Sequence, residues 1–383
     1  MKYILSSLVL LLSTEVCAAG DAFVHPGLMH SQTDLAFMRR KLAAGEEPWT
    51  SAWKKLRSGC IDIAGLRYTP KPIAHVSQAP YGKDDIGASQ MMRDSSAAYC
   101  HAVEWCLTGE KAHAAKAMEI LNAWSSTLES ISGDKDQGKI VAGWTTGKFC
   151  NAAELLRYSS AGWAESDIQR FKRMLLEIDY PLLKDFQPRY NGNWGATMIH
   201  SMLCIGVFCD DRDKFNRVVD YFLHGKGKGA LTNYIFPSGQ CQETTRDQTH
   251  TQMGLGALAA ACEVAWKQGV DLYGAADNRL ALGFEYTAKY NLGHDVPCTG
   301  VIGAKGRGHF QPIWEAAYQH YVYEKGLKMP YTRQVLDKIR PERWSIVVPE
   351  VFGTLTCFKG QPRGGAFSTS AKPPASINRR HGG

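Results

Sequence analysis

The chain has 383 residues, with 44% hydrophobic, 21% charged and 10% aromatic content, and a net charge of +7. That composition excludes a short disulfide-stapled peptide, a collagen-like chain and a wholly disordered one, and the length allows one large domain or two smaller ones. The modest basic excess favours anionic partners without naming them. From the N-terminus, Lys2, the apolar stretch 4–12 and the small residues Cys17-Ala18-Ala19-Gly20 read as a secretory signal over 1–19, too short to span a membrane. The expected location is secreted or periplasmic, with no membrane association after cleavage. Without Cys17, ten cysteines remain, and an even number in an exported chain suggests disulfides, with buried thiols as the alternative. None has zinc-site spacing, so no metal is expected.

Helical periodicity then dominates. Residues 31–44 open with Ser31 as a capping residue and carry Leu35, Met38 and Leu42 at i, i+3 and i+7. The same 3.6-residue pattern recurs over 97–107, 112–128, 151–158, 166–178, 196–208, 213–223, 243–266, 277–290 and 312–323. Strand candidates are few, at 234–236 and 346–351. No fixed-period repeat is visible. The fold class expected is all-α, with consecutive helices wound as antiparallel pairs into a ring over 20–363. The Gly/Ser/Pro/Arg-rich tail 364–383 is expected to be disordered.

Three segments interrupt these patterns with polar residues. In Asn191-Gly192-Asn193-Trp194, Asn193 caps or opens the following helix, where an amide beside the positive end of the helix dipole can bind an anion. The plainer alternative is an N-cap with an aromatic staple. In the stretch 239–252, Glu243, Arg246 and His250 would share one face if helical, grouping acid, base and anion-binding chemistry one turn apart. A buried ion pair with a satisfied histidine is the alternative. The small residues that follow, Gly254, Gly256, Ala257 and Ala259, suit a crowded interior. In the third segment Tyr286 and Tyr290 lie at i and i+4, a spacing that also serves simple packing. Trp144, Trp194 and Trp314 are candidate platforms for sugar stacking.

At these segments the sequence resembles the alginate-lyase-like polysaccharide lyases and is most similar to family 38. The resemblance is carried by NGNWGATMIH (191–200), IGVFCDDRDKF (205–215), CQETTRDQTHTQMGLG (241–256), EVAWKQGVDLYGAADNRL (263–280) and GFEYTAKYNLGHDVP (283–297), with weaker similarity in LNAWSSTL (121–128) and FCNAAELLRY (149–158). It implies an (α/α) toroid, an incomplete helical barrel with a central cleft, and β-elimination on a uronic-acid polysaccharide such as alginate or glucuronan. The catalytic candidates are then Asn193 with Arg246 or His250 at the uronate carboxylate, and Tyr290 or Tyr286 for acid–base work, with His250 as the alternative base. Substrate contacts are expected from Trp144, Asn151, Trp194, His200 and Glu243. The family 5 alginate lyases place a His directly after the neutralising Asn and a Tyr seven residues after the Arg; here those positions hold Trp194 and Met253. No metal or organic cofactor is demanded, the partner expected is an acidic polysaccharide rather than nucleic acid, and a monomer is expected. A glycoside hydrolase using Glu243 and Asp247, or a non-catalytic glycan-binding protein, are the rival readings.

Overall fold

The first helix starts where its capping chemistry dictates. Ser31 Oγ accepts the Asp34 backbone N–H at 3.1 Å while Asp34 Oδ2 accepts that of Ser31 at 3.0 Å, so α1 (Gln32–Ala43) opens on a closed capping box. The computed structural model describes residues 22–59, 65–343, 345 and 352–360. The expected signal segment 1–19, the tail 364–383 and the strand candidate 346–351 lie outside them.

Eleven further helices carry the fold: α2 (Trp49–Gly59), α3 (Ala88–Thr108), α4 (Lys111–Thr127), α5 (Gln137–Arg157), α6 (Glu165–Met174), α7 (Gly192–Phe208), α8 (Arg212–His224), α9 (Gln248–Lys267), α10 (Ala275–Asn291), α11 (Trp314–Gln319) and α12 (Pro330–Ile339). Helix α3 packs on α5, α5 on α7 and α7 on α9, while α4, α8 and α10 lie outside α3, α7 and α9. This alternation of inner and outer helices is the expected toroid. The inner helices are buried nearly all round, as that position requires: Ala196 to Phe208 of α7 and Thr251 to Cys262 of α9 are buried without a break. Outer helix α8, in contrast, buries only Phe215, Val218, Val219 and Phe222.

Glycines let the inner helices approach closely. A methyl group at Gly147 would lie 2.4 Å from the His200 ring, and one at Gly254 would lie 2.1 Å from the Tyr234 hydroxyl. The strand content is one parallel pair, β1 (His75–Ser77) on β2 (Ser130–Ser132), with Val76 opposite Ile131. The strand expected at 234–236 is not formed. Tyr234 ends a short helix, Leu231–Tyr234, and Ile235 makes a single bridge to Cys241. The helix expected from 243 begins later, at Gln248, because Asp247 caps it and residues 242–246 form turns. No disulfide joins any two of the nine described cysteines, and Cys60 lies outside the described residues. Among the described residues no helix is long and apolar enough to cross a membrane.

Candidate active site

The four inner helices present their first turns to one cleft of about 920 Å³. Ser89 and Met92 come from α3, Gln137, Ile140 and Trp144 from α5, Asn193 and Trp194 from α7, and His250 and Met253 from α9. The loops before these helices add Gln78, Tyr81, Lys135, Asp136, Arg189, Tyr190 and Arg246. Each α-helix start carries a partial positive charge of about half a unit. With Lys135, Arg189 and Arg246 against the single carboxylate of Asp136, the lining is cationic.

The start of α7 is held by the turn that precedes the neighbouring helix α9. Asn191 occupies the N-cap but makes no side-chain cap bond. Instead, Gln242 Oε1 accepts the Gly192 N–H at 2.8 Å and Glu243 Oε2 accepts the Asn193 N–H at 3.0 Å. Glu243 Oε1 also accepts from Asn193 Nδ2 at 3.3 Å and from Arg246 Nη1 at 2.7 Å. Burial pushes the Glu243 carboxyl above its ordinary range, and the Arg246 guanidinium and Asn193 N–H pull the other way. Glu243 is therefore a fixed post behind Asn193 and Arg246 and does not itself line the cleft. The buried Asn193 Oδ1 and the Trp144 indole N–H, both at the cleft, have no hydrogen-bond partner among the described residues. Polar atoms in that condition favour an incoming hydroxyl or amide-like group.

Beside this post sits a carboxylate–imidazole pair. Asp247 Oδ1 accepts the His250 backbone N–H at 2.8 Å, capping α9, and Asp247 Oδ2 faces His250 Nδ1 at 2.7 Å. Burial alone would raise the Asp247 carboxyl, but the two hydrogen bonds from His250 and the nearby Arg246 charge hold it below its usual range. An ionised Asp247 favours an N–H on Nδ1, the tautomer in which Nε2 is the acceptor that a general base needs. Among the described residues no group of three or more His, Cys, Asp or Glu side chains is placed to hold a metal ion.

Comparison with known proteins accords with this arrangement. The alginate lyase family matches residues 67–296. The chain belongs to the alginate lyase family. Its members are polysaccharide lyases, and this chain is one of them. The alginate lyase of Bacteroides ovatus is 15% identical, with TM-score 0.62 over 88% of this chain and 100% of that chain. Alginate lyase A1-III of Sphingomonas species A1 is 14% identical, with TM-score 0.61 over 85% of this chain and 95% of that chain. Two variants of A1-III, each in complex with a tetrasaccharide, give TM-score 0.62 at 14% identity over 86% of this chain and 94% and 95% of theirs. At these identities the solved structures establish the fold. No curated protein sequence matches the chain.

In this alginate lyase family member the cleft gathers Asn193, Trp194, Arg246, His250 and Trp144 from the sequence-based candidates. Others lie elsewhere. Asn151 is two helical turns beyond Trp144, where its amide serves the Met29 N–H and the Gly147 carbonyl. His200 is likewise two turns below Asn193, 2% exposed, with Nε2 3.5 Å from Cys204 Sγ. Burial, with the Lys148 charge, lowers its pKa to about 3, so it stays neutral in the core. Neither residue can reach a substrate in the cleft. Trp314 is fully buried against Phe284 and Phe310 and offers no stacking face. Tyr286 donates its hydroxyl to the Pro297 carbonyl at 2.8 Å, and Tyr290 lies under the Arg307 guanidinium, 4.1 Å from the ring centroid. Neither tyrosine lines the cleft. The tyrosines that do are Tyr81 and Tyr190, which the sequence reading did not single out.

Proposed function

We propose that the protein cleaves a polyuronate, alginate or glucuronan, by β-elimination. The observation that carries this is the placement of Arg246, Asn193 and the Asp247-oriented His250 together at the starts of α7 and α9, in a cleft with cationic walls. A uronate C5–H is poorly acidic while its carboxylate is ionised. Arg246 and the second amide hydrogen of Asn193 would neutralise that carboxylate and stabilise the enolate that forms. His250 Nε2 would take the C5 proton. Trp144 and Trp194 would stack on neighbouring sugar rings. The motif resemblance, together with Trp194 and Met253 at positions where family 5 enzymes carry His and Tyr, supports placement in family 38. The tetrasaccharide complexes of A1-III lend support to an oligosaccharide in the equivalent cleft.

A hydrolase would need two carboxyl groups flanking the scissile bond. Glu243 is engaged by Asn193 and Arg246, Asp247 by His250, and Asp136 by Arg189 and Tyr190, so all three carboxyls are committed. The basic and apolar segment at 1–19 supports export, to the medium or the periplasm. The test uses protein recovered from that compartment, whose N-terminus should begin near residue 20. It is incubated with alginate, polymannuronate, polyguluronate and glucuronan, and the ultraviolet absorbance of the new C=C bond is followed. At least one polymer should give a rise. Binding without a rise on any of the four would establish a glycan-binding protein and end the lyase reading.

A further inference from the structure

Elimination needs a proton for the departing O4 as well as a base for C5, and neither Tyr286 nor Tyr290 stands in the cleft. Tyr190 does. Its ring lies 5.1 Å from that of Trp194, three residues before Asn193, and the residue is 8% exposed. Three charged groups surround its hydroxyl. Lys139 Nζ donates to Tyr190 Oη at 3.0 Å, and Tyr190 Oη donates to Asp136 Oδ2 at 2.8 Å. Arg189 Nη2 donates to the same Asp136 oxygen at 2.6 Å, and its guanidinium lies 5.1 Å from the Tyr190 ring centroid. Asp136 is delivered to this position by a backbone that most residues avoid: Lys135 and Asp136 both have left-handed φ, at 51° and 64°. Two such residues in succession are unfavourable by roughly 1 kcal/mol or more each, which points to a turn retained for what it presents. Tyr81, the other tyrosine of the lining, is 89% exposed at the rim, where water competes for its hydroxyl.

We propose that Tyr190 is the proton donor to the leaving O4, with Lys139 and Arg189 stabilising the phenolate it becomes. The assignment rests on the lyase reading. At rest the phenol proton is held by Asp136, and a glycosidic oxygen bound beside it takes over as acceptor. As the base removes the C5 proton, that electron pair forms the C4=C5 bond, the C4–O4 bond breaks, and O4 takes the phenol proton. The phenolate then has the Lys139 ammonium against it and the Arg189 charge over its ring. Solvent returns a proton to Tyr190 and removes one from the base when product leaves, so the cycle is balanced.

The experiment compares wild type, Tyr190→Phe and Lys139→Met on the best polyuronate and on a uronate carrying a nitrophenolate leaving group at C4. Nitrophenolate leaves without protonation. On the polymer, Tyr190→Phe should lose roughly 10²–10³-fold in kcat, the range expected for loss of a general acid, and Lys139→Met should lose about 10-fold. On the nitrophenolate substrate the Tyr190→Phe deficit should shrink to a few-fold. Phenylalanine keeps the ring against Trp194 and Arg189, so the helical far-ultraviolet circular dichroism should be unchanged. An equal loss on both substrates would make Tyr190 a positioning residue and overturn the proposal, as would a Tyr190→Phe enzyme of near wild-type rate on the polymer. A wild type inactive on every polymer removes the lyase reading and this assignment with it.

Discussion

Asp247 is used twice, once by each carboxylate oxygen: Oδ1 ends the unpaired backbone of α9 and Oδ2 orients His250. Asparagine can keep the first use and lose the second. Its amide can still cap the helix, but it carries no charge to hold the proton on Nδ1, and its NH₂ group can donate to that nitrogen and leave the proton on Nε2. Asp247→Asn should therefore fold normally and lose on the order of 10²-fold in kcat, with KM much less affected. Steady-state rates beside a thermal melt check this; a drop in Tm with an unchanged kcat would reduce Asp247 to a cap. The same residue explains what could be read in advance. Asn193, Arg246 and His250 stood out because polar side chains break apolar runs just where helices begin. Asn151 and His200 misled because helical periodicity gives the face of a residue and not its depth along the axis. At about 1.5 Å per residue, seven positions carry a side chain some 10 Å from the cleft into the core. Tyr190 escaped notice because its role depends on Asp136, 54 positions away and set by an unusual turn.

At the scale of the element, the late start read for α5 has a specific origin. The helix begins at Gln137, yet its first three turns contain Gly138, Gly143 and Gly147 among polar residues, which are poor helix signals. Tertiary packing overrides that propensity: a methyl group at Gly143 would meet Thr197 at 2.9 Å, and one at Gly147 the His200 ring at 2.4 Å, so glycine is what lets α5 lie against α7. The glycines of α9 were legible as a sign of crowding, and the crowding partner proves to be Tyr234. Its buried hydroxyl donates to the Thr251 carbonyl at 2.9 Å and occupies the space a side chain at Gly254 would need. Gly254→Ala should destabilise the protein by about 1–3 kcal/mol through overpacking, lowering Tm by roughly 2–4 °C per kcal/mol. Tyr234→Phe in the same chain removes the oxygen but leaves the ring carbon Cζ 2.2 Å from the same methyl, so it should recover little of the loss. A melt unaltered by Gly254→Ala would show that the packing of Tyr234 against α9 is looser than its geometry.

Over the whole molecule, the ring of helices was legible and the placement of charge was not. Periodic segments joined by short loops lead to a toroid, whereas a net charge of +7 says nothing of where the cations lie. The fold decides that by running the inner helices parallel, so that α3, α5, α7 and α9 all start at the cleft. Their dipoles act only within the first turn, but Lys135, Arg189 and Arg246 extend the same sign along the walls. Such a field concentrates a polyanion near the site before any specific contact forms, and mobile ions screen it over about 10 Å at 0.1 M and about 3 Å at 1 M. The chemical step is different, because the Arg246–Glu243–Asn193 group is mostly buried and its short contacts are screened little. Raising the salt from about 0.05 to 0.5 M should thus increase KM for a polyuronate by roughly 10-fold while kcat changes far less. Measuring both constants over that range separates the two scales. A KM independent of salt would mean that the cationic walls do not gather substrate, and a parallel fall in kcat would mean that salt reaches the buried group directly.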